Sequence, residues 1–147
     1  MASYIKFNFF VEDLANKIHD VMGTAGADAD TLKVYLSNVA PTVTTNHVKG
    51  DLAEITNHNG YTAPVSTGNV GTRTTTTVTV TGTNVTITAS GGTVGPFQYV
   101  VLYNSTAAGV NLIAYWDYAA PLTLNDGESF TIKFNSGVSS GTLFTLA

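Results

Sequence analysis

Between Gly95 and Phe134 the chain reads GPFQYVVLYNSTAAGVNLIAYWDYAAPLTLNDGESFTIKF, and long parts of it are apolar at every position. In Phe97–Tyr103 one alternating set is Phe97, Tyr99, Val101 and Tyr103, the other Gln98, Val100 and Leu102. A strand wetted on one side alternates apolar with polar residues, and one that does not is covered on both faces. This strand is therefore expected at the centre of a sandwich, or under a helix or a partner subunit. Leu112–Tyr118 is similar, with Leu112, Ala114, Trp116 and Tyr118 assigned to one face and Ile113 and Tyr115 to the other. Glu128–Phe134 alternates cleanly: Phe130, Ile132 and Phe134 in, Ser129, Thr131 and Lys133 out. Asn125-Asp126-Gly127 supplies a turn before it.

Upstream, the apolar positions Phe7, Phe10, Val11, Leu14, Ile18, Val21 and Met22 recur at helical spacing and predict a helix over Phe9–Met22. Asn8 is its expected N-cap and Gly23 its stop, with Glu12 and Asp13 complementing the helix dipole. Met1–Lys6 reads as an extended arm anchored by Tyr4 and Ile5. Thr31–Asn38 alternates as a half-buried strand with Leu32, Val34 and Leu36 inward. The polar stretch Ala40–Ala63 is a long loop whose strong anchors are Leu52, Ile55 and Tyr61, and loops of this length are commonly functional. Arg73–Thr81 and Thr83–Ser90 are expected to form a Thr-Val hairpin turning near Gly82. Asn135–Gly141 reads as a Gly/Ser loop and Thr142–Ala147 as a closing strand.

The expected architecture is thus mainly β: one domain over residues 1–147, an antiparallel β-sandwich, jelly-roll-like, with one N-terminal α-helix. The chain of 147 residues is long enough to form its own core without staples. It has no cysteine, which removes disulfides, thiolate catalysis and cysteine zinc sites. Only 11% of residues are charged, against roughly 25% in ordinary domains. With six basic residues and a net charge of −4, the composition argues against nucleic acid, whose phosphates need neutralising. No membrane span and no ordinary secretion signal are expected, so synthesis in the cytoplasm and export by assembly or lysis is the reading.

Signals for chemistry are sparse. His47 and His58 lie near Asp51 and Glu54, but their spacing matches no metal-ligand pattern, and solvated loop residues are the stronger reading. A glycosidase needs two converging carboxylates, and turn chemistry accounts for Asp126. Asp117, within YWDY, raises the alternative of a sugar-binding cleft of Tyr115, Trp116, Asp117 and Tyr118. No nucleophile elbow or phosphate-binding glycine loop is present, and no cofactor is expected.

The runs GPFQYVVLYN, LIAYWDY and LTLNDGESFTIKF, with YIKFNFFVEDLANKIHD and DTLKVYLSNVAPT ahead of them, resemble small structural proteins of tailed bacteriophages and prophages. The resemblance spans nearly the whole chain and rests on packing motifs. It implies a non-enzymatic virion component, in first place a head decoration (cement) protein on the outer capsid surface. Such a protein bridges subunits of the major capsid protein, often as a homotrimer. The alternative is a tail or fibre protein that binds host surface glycans. Under the first reading, partner contacts are expected from Tyr4, Ile5, Phe7, His47, Leu52, Ile55 and Tyr61.

Overall fold

A computed structural model describes residues 2–134 and 139–147. In chain order these form β1 (Ser3–Lys6), α1 (Phe9–Ala15), β2 (Gly23–Thr24), β3 (Leu32–Ser37), β4 (Val65–Ser66) and β5 (Val70–Thr74). There follow β6 (Thr77–Thr83), β7 (Val85–Thr88), β8 (Val94–Asn104), β9 (Leu112–Leu124), β10 (Ser129–Ile132) and β11 (Ser140–Leu146). The fold is mainly β and sandwich-like, as the alternation predicts. One sheet runs β1-β9-β8-β3-β4, another β11-β6-β5-β2, and β7 pairs with β10 alone. All these pairings are antiparallel.

The long hairpin of β8 and β9 is the middle of the five-stranded sheet. Its β-branched and aromatic side chains suit a pleated surface packed from both sides. On one face Leu36, Val100, Leu102 and Ala114 meet Val80, Ile87, Ile132, Phe134 and Leu143 in the main core. On the other face Tyr35, Val101, Tyr103, Leu112 and Tyr115 form a second cluster with Phe7 and Leu52. Each fully buried large side chain contributes about 1.5–3 kcal/mol. Within the chain this second face is covered by Val43, Leu52 and Ala63 of the 40–63 loop together with Ile5 and Phe7.

That loop also finishes the edge of β3. β4 pairs only with Lys33 and Val34. Beyond it, the Leu36 amide donates to the Tyr61 hydroxyl at 2.9 Å, and the Leu36 carbonyl accepts from the Ile55 amide, also at 2.9 Å. Ser37 Oγ donates to the Ala53 carbonyl at 2.7 Å, and the Tyr35 hydroxyl to the Leu52 carbonyl at 3.1 Å. Tyr61 donates in turn to Glu54 at 3.0 Å, and Lys49 closes on Glu54 and lies over the Tyr35 ring. Burial pushes the Tyr61 hydroxyl well above its usual range, which keeps the proton this bond needs.

Several expectations are corrected. The helix stops at Ala15 rather than Met22. Lys17 takes the left-handed conformation at φ 59°, its amide bonds to Leu14 and that of Ile18 to Asp13, the double closure of a Schellman motif. Met22, beyond the helix, is exposed, and so is Val11 on the outer side of α1. Asn8 has helical angles and makes no side-chain cap. β3 is not half-buried: Tyr35 and Ser37 lie under the loop. The Thr-rich hairpin is β5 with β6, turning through Thr75 at φ 56°, while β7 leaves to pair with β10. Gly82 sits instead within β6, where a Cβ would press at 3.1 Å on Leu143 of β11. In β9 the alternation breaks at a bulge, since the register slips between Leu102 and Tyr103. Leu112 therefore shares a face with Tyr115, and Ile113 joins Ala114 in the main core. Residues 135–138 of the expected Gly/Ser loop, and Met1 of the arm, lie outside the described residues.

Replacing Tyr61 with Phe leaves the Leu36 amide buried without an acceptor. The expected loss is about 1–3 kcal/mol in urea denaturation, from the desolvation cost of an unpaired donor.

Candidate functional site

Two places in the molecule gather side chains in ways the core does not require. The first is a cleft of about 620 Å³ opening between the layers. Tyr4, Trp116, Tyr118, Phe130 and Leu143 line it, with Gln98 as a polar member. Trp116 and Tyr118 are two residues apart on β9, Tyr118 lying just past the last regular pair at Asp117, and both line the cleft. Tyr4 stands opposite Trp116 in the β1–β9 register, and their rings meet edge-on at 5.5 Å. Tyr118 meets Phe130 edge-on at 5.8 Å. Tyr118 is 50% exposed and Tyr4 39%, high for aromatic rings on sheet faces. The cleft is bordered by strand ends of both sheets: among the described residues β1 pairs only with β9, and β11 only with β6. Gln98 Nε2 donates to Asp117 Oδ1 at 2.9 Å, and the same oxygen accepts the Ala119 amide at 2.7 Å.

The second place is a buried polar cluster at the opposite end of β9. Asp13, on the inward side of α1, is 1% exposed. His47 Nε2 lies 3.0 Å from each of its oxygens and also 3.0 Å from Asn111 Nδ2, so the ring and the Asn111 amide crowd onto one carboxylate. Asn111 Nδ2 donates to Asp13 Oδ2 at 2.9 Å. Phe9 stacks on the His47 ring at 4.3 Å, and the Leu112 amide donates to the His47 carbonyl at 2.8 Å. His19, buried behind Phe10, completes the group. Its Nδ1 lies 3.0 Å from Asn104 Nδ2. Asn104 Oδ1 already accepts the amides of Thr106 and Ala107, so the Asn104 amide nitrogen faces the ring and donates to it. His19 is therefore protonated on Nε2, which points at Asp13 Oδ2 from 3.7 Å and has no hydrogen-bond partner.

Among the described residues no group of three or more His, Cys, Asp or Glu is placed to hold a metal ion. Asp51 holds the same loop together by accepting the His47 and Val48 amides. Those two bonds keep its carboxyl below the usual range. No helix among the described residues is long and apolar enough to cross a membrane.

The residues expected to make partner contacts do not gather in one surface. Phe7, Leu52 and Tyr61 are core residues at 0%, 1% and 2% exposure, so that expectation is corrected for them. Ile5 packs partly against the second cluster and Ile55 against the main core. His47 is committed to Asp13 rather than solvated in a loop, and His58 Nδ1 bonds to the Thr56 carbonyl. Tyr4 alone reaches the cleft. Of the four residues considered for a sugar cleft, Trp116 and Tyr118 line it. Tyr115 lies on the other face between Phe7 and Tyr99, and Asp117 is tied to Gln98. The parts played by Phe130 and Leu143 were not legible, because they come from strands whose pairing the sequence does not specify. Compared with known proteins, the chain matches no family model, no curated protein and no solved structure.

Replacing Asp13 with Ala strands the Asn111 and His47 donors. The expected cost is about 1–3 kcal/mol in urea denaturation near neutral pH, with α1 exchanging its amides faster.

Proposed function

We propose that this chain is a non-enzymatic virion structural protein, a decoration protein on the outer surface of a tailed-phage capsid. In this role it bridges subunits of the major capsid protein and acts as a homotrimer. The observation that supports the reading is the aromatic cleft bordered by the ends of two sheets. An apolar recess beside strand edges fits an extended protein segment, whose backbone pairs with the edge while alternate side chains enter the recess. The low charge of the chain suits close protein packing. A clamp that binds the assembled shell and not free subunits stabilises the shell by mass action. The contact surface in this reading is Tyr4, Trp116 and Tyr118, replacing the buried residues of the sequence-based expectation.

The test is occupancy on purified shells that lack decoration, for wild type, Tyr4→Lys and Tyr118→Lys. The expected result is saturable binding that falls roughly tenfold or more in either variant, as loss of a central aromatic contact does. No binding by wild type, or equal binding by all three, overturns the reading.

A tail or fibre protein that binds host glycans remains the second reading. It is favoured by one feature, the pairing of Trp116 and Tyr118 on a half-open face, since aromatic planes suit sugar rings. A glycan array run with wild type and Trp116→Ala separates the two. A signal lost in the variant supports sugar binding, and an empty array leaves shell binding alone.

A further inference from the structure

We propose that the His19 cluster is an acid-operated latch: protonation of the His19 ring detaches Asn104 and frees α1 and the 16–31 segment from the end of β8. The geometry leaves the ring one way to accept a proton, at Nδ1, because Nε2 already bears hydrogen. Nδ1 is the acceptor of the Asn104 amide. Asn104 cannot turn its oxygen toward a protonated ring without giving up the Thr106 and Ala107 amides. Protonation therefore sets two donors against each other 3.0 Å apart in a site closed to water.

The groups that sense this event hold the segment. Asn104 Nδ2 also donates to Asp30 Oδ2 at 2.6 Å, and Asp30 Oδ2 accepts the Asp20 amide at 2.8 Å. The Asp30 amide donates to the Asp20 carbonyl at 2.7 Å, so the two ends of the 20–30 excursion close on each other beside the ring. Facing His19 are Asp13 from α1, Asp30 from the run into β3 and His47 from the covering loop, with Asp51 behind His47. β8 and β9 contribute the neutral Asn104 and Asn111.

The two carboxylates favour a charged ring, whereas burial and His47 oppose it. Burial is the largest effect and holds His19 below its ordinary 6.5. The unfolded or opened segment thus takes up the proton first. The ring's contribution is complete above 6.5 and is lost as pH falls toward the depressed native value.

The test is amide hydrogen exchange, corrected for intrinsic rates, between about pH 7.5 and about pH 5, beside an NMR titration of each imidazole. The expected result is a rise of roughly tenfold or more in opening of residues 9–31 and of the β5 edge that β2 pairs with, with β6 and β11 unchanged and the midpoint tracking the His19 ring. His19→Gln presents an oxygen to Asn104 and an N–H toward Asp13 without titrating, and should remove the pH dependence. No opening in wild type, opening that tracks His47 or His58, or opening that persists in His19→Gln overturns the latch. If His19→Gln does not fold, the wild-type titration decides alone.

Discussion

Desolvation of one hairpin governs this structure. β8 and β9 carry large apolar side chains on both faces, so neither face is stable in water. One face is met by the second sheet and the β7–β10 pair, the other by the 40–63 loop. Everything else follows from making the second cover hold. A loop brings backbone polar groups over an apolar surface, and each needs a partner. Ser37, Tyr35, Tyr61 and the Ile55 amide meet that need along β3, and Asp51 does so within the loop.

The Asp13 cluster is the same requirement met at the other end of the loop. Where the loop reaches the start of β9, the Lys49 amide donates to the Val110 carbonyl and the Leu112 amide to the His47 carbonyl. Asp13 then ties His47 to α1, which lies across the end of β9. A buried carboxylate is costly unless its oxygens are hydrogen-bonded, and here two side chains from separate elements meet it. The helix is short because its last turn must deliver Asp13 to the loop and then reverse to bring His19 in behind Phe10.

Where alternation was unbroken, the sequence made the structure legible. β3, β8, β10 and β11 form close to where the sequence places them, although β3 is covered on both faces rather than half-buried and β11 starts two residues early, and the two-sided apolar character of β8 correctly called for a second cover. It did not say what the cover is, because Leu52 and Tyr61 are isolated anchors in a polar run with no period. The helix end was hidden because Lys17, not a glycine, takes the left-handed position. The bulge in β9 was hidden because Leu112, Ile113 and Ala114 are all apolar, so a slip of one residue changes no visible pattern. Of the cleft, Trp116 and Tyr118 were legible as neighbours on one face. Tyr4 and Phe130 were not, since they arrive through pairings between distant segments. Asp13 read as an ordinary helix-start acid, for nothing local marks a carboxylate as buried.

The irregular cover has a consequence for association. A third sheet over β3, β8 and β9 would have hidden the same apolar area while adding two fresh rows of unpaired amides and carbonyls, the template on which chains stack into fibrils. A coiled segment that spends its polar groups on the strand beneath adds no such row. The molecule thereby gains a third layer without gaining another place to polymerise, and of the edge strands it already has, β1 and β11 border the cleft.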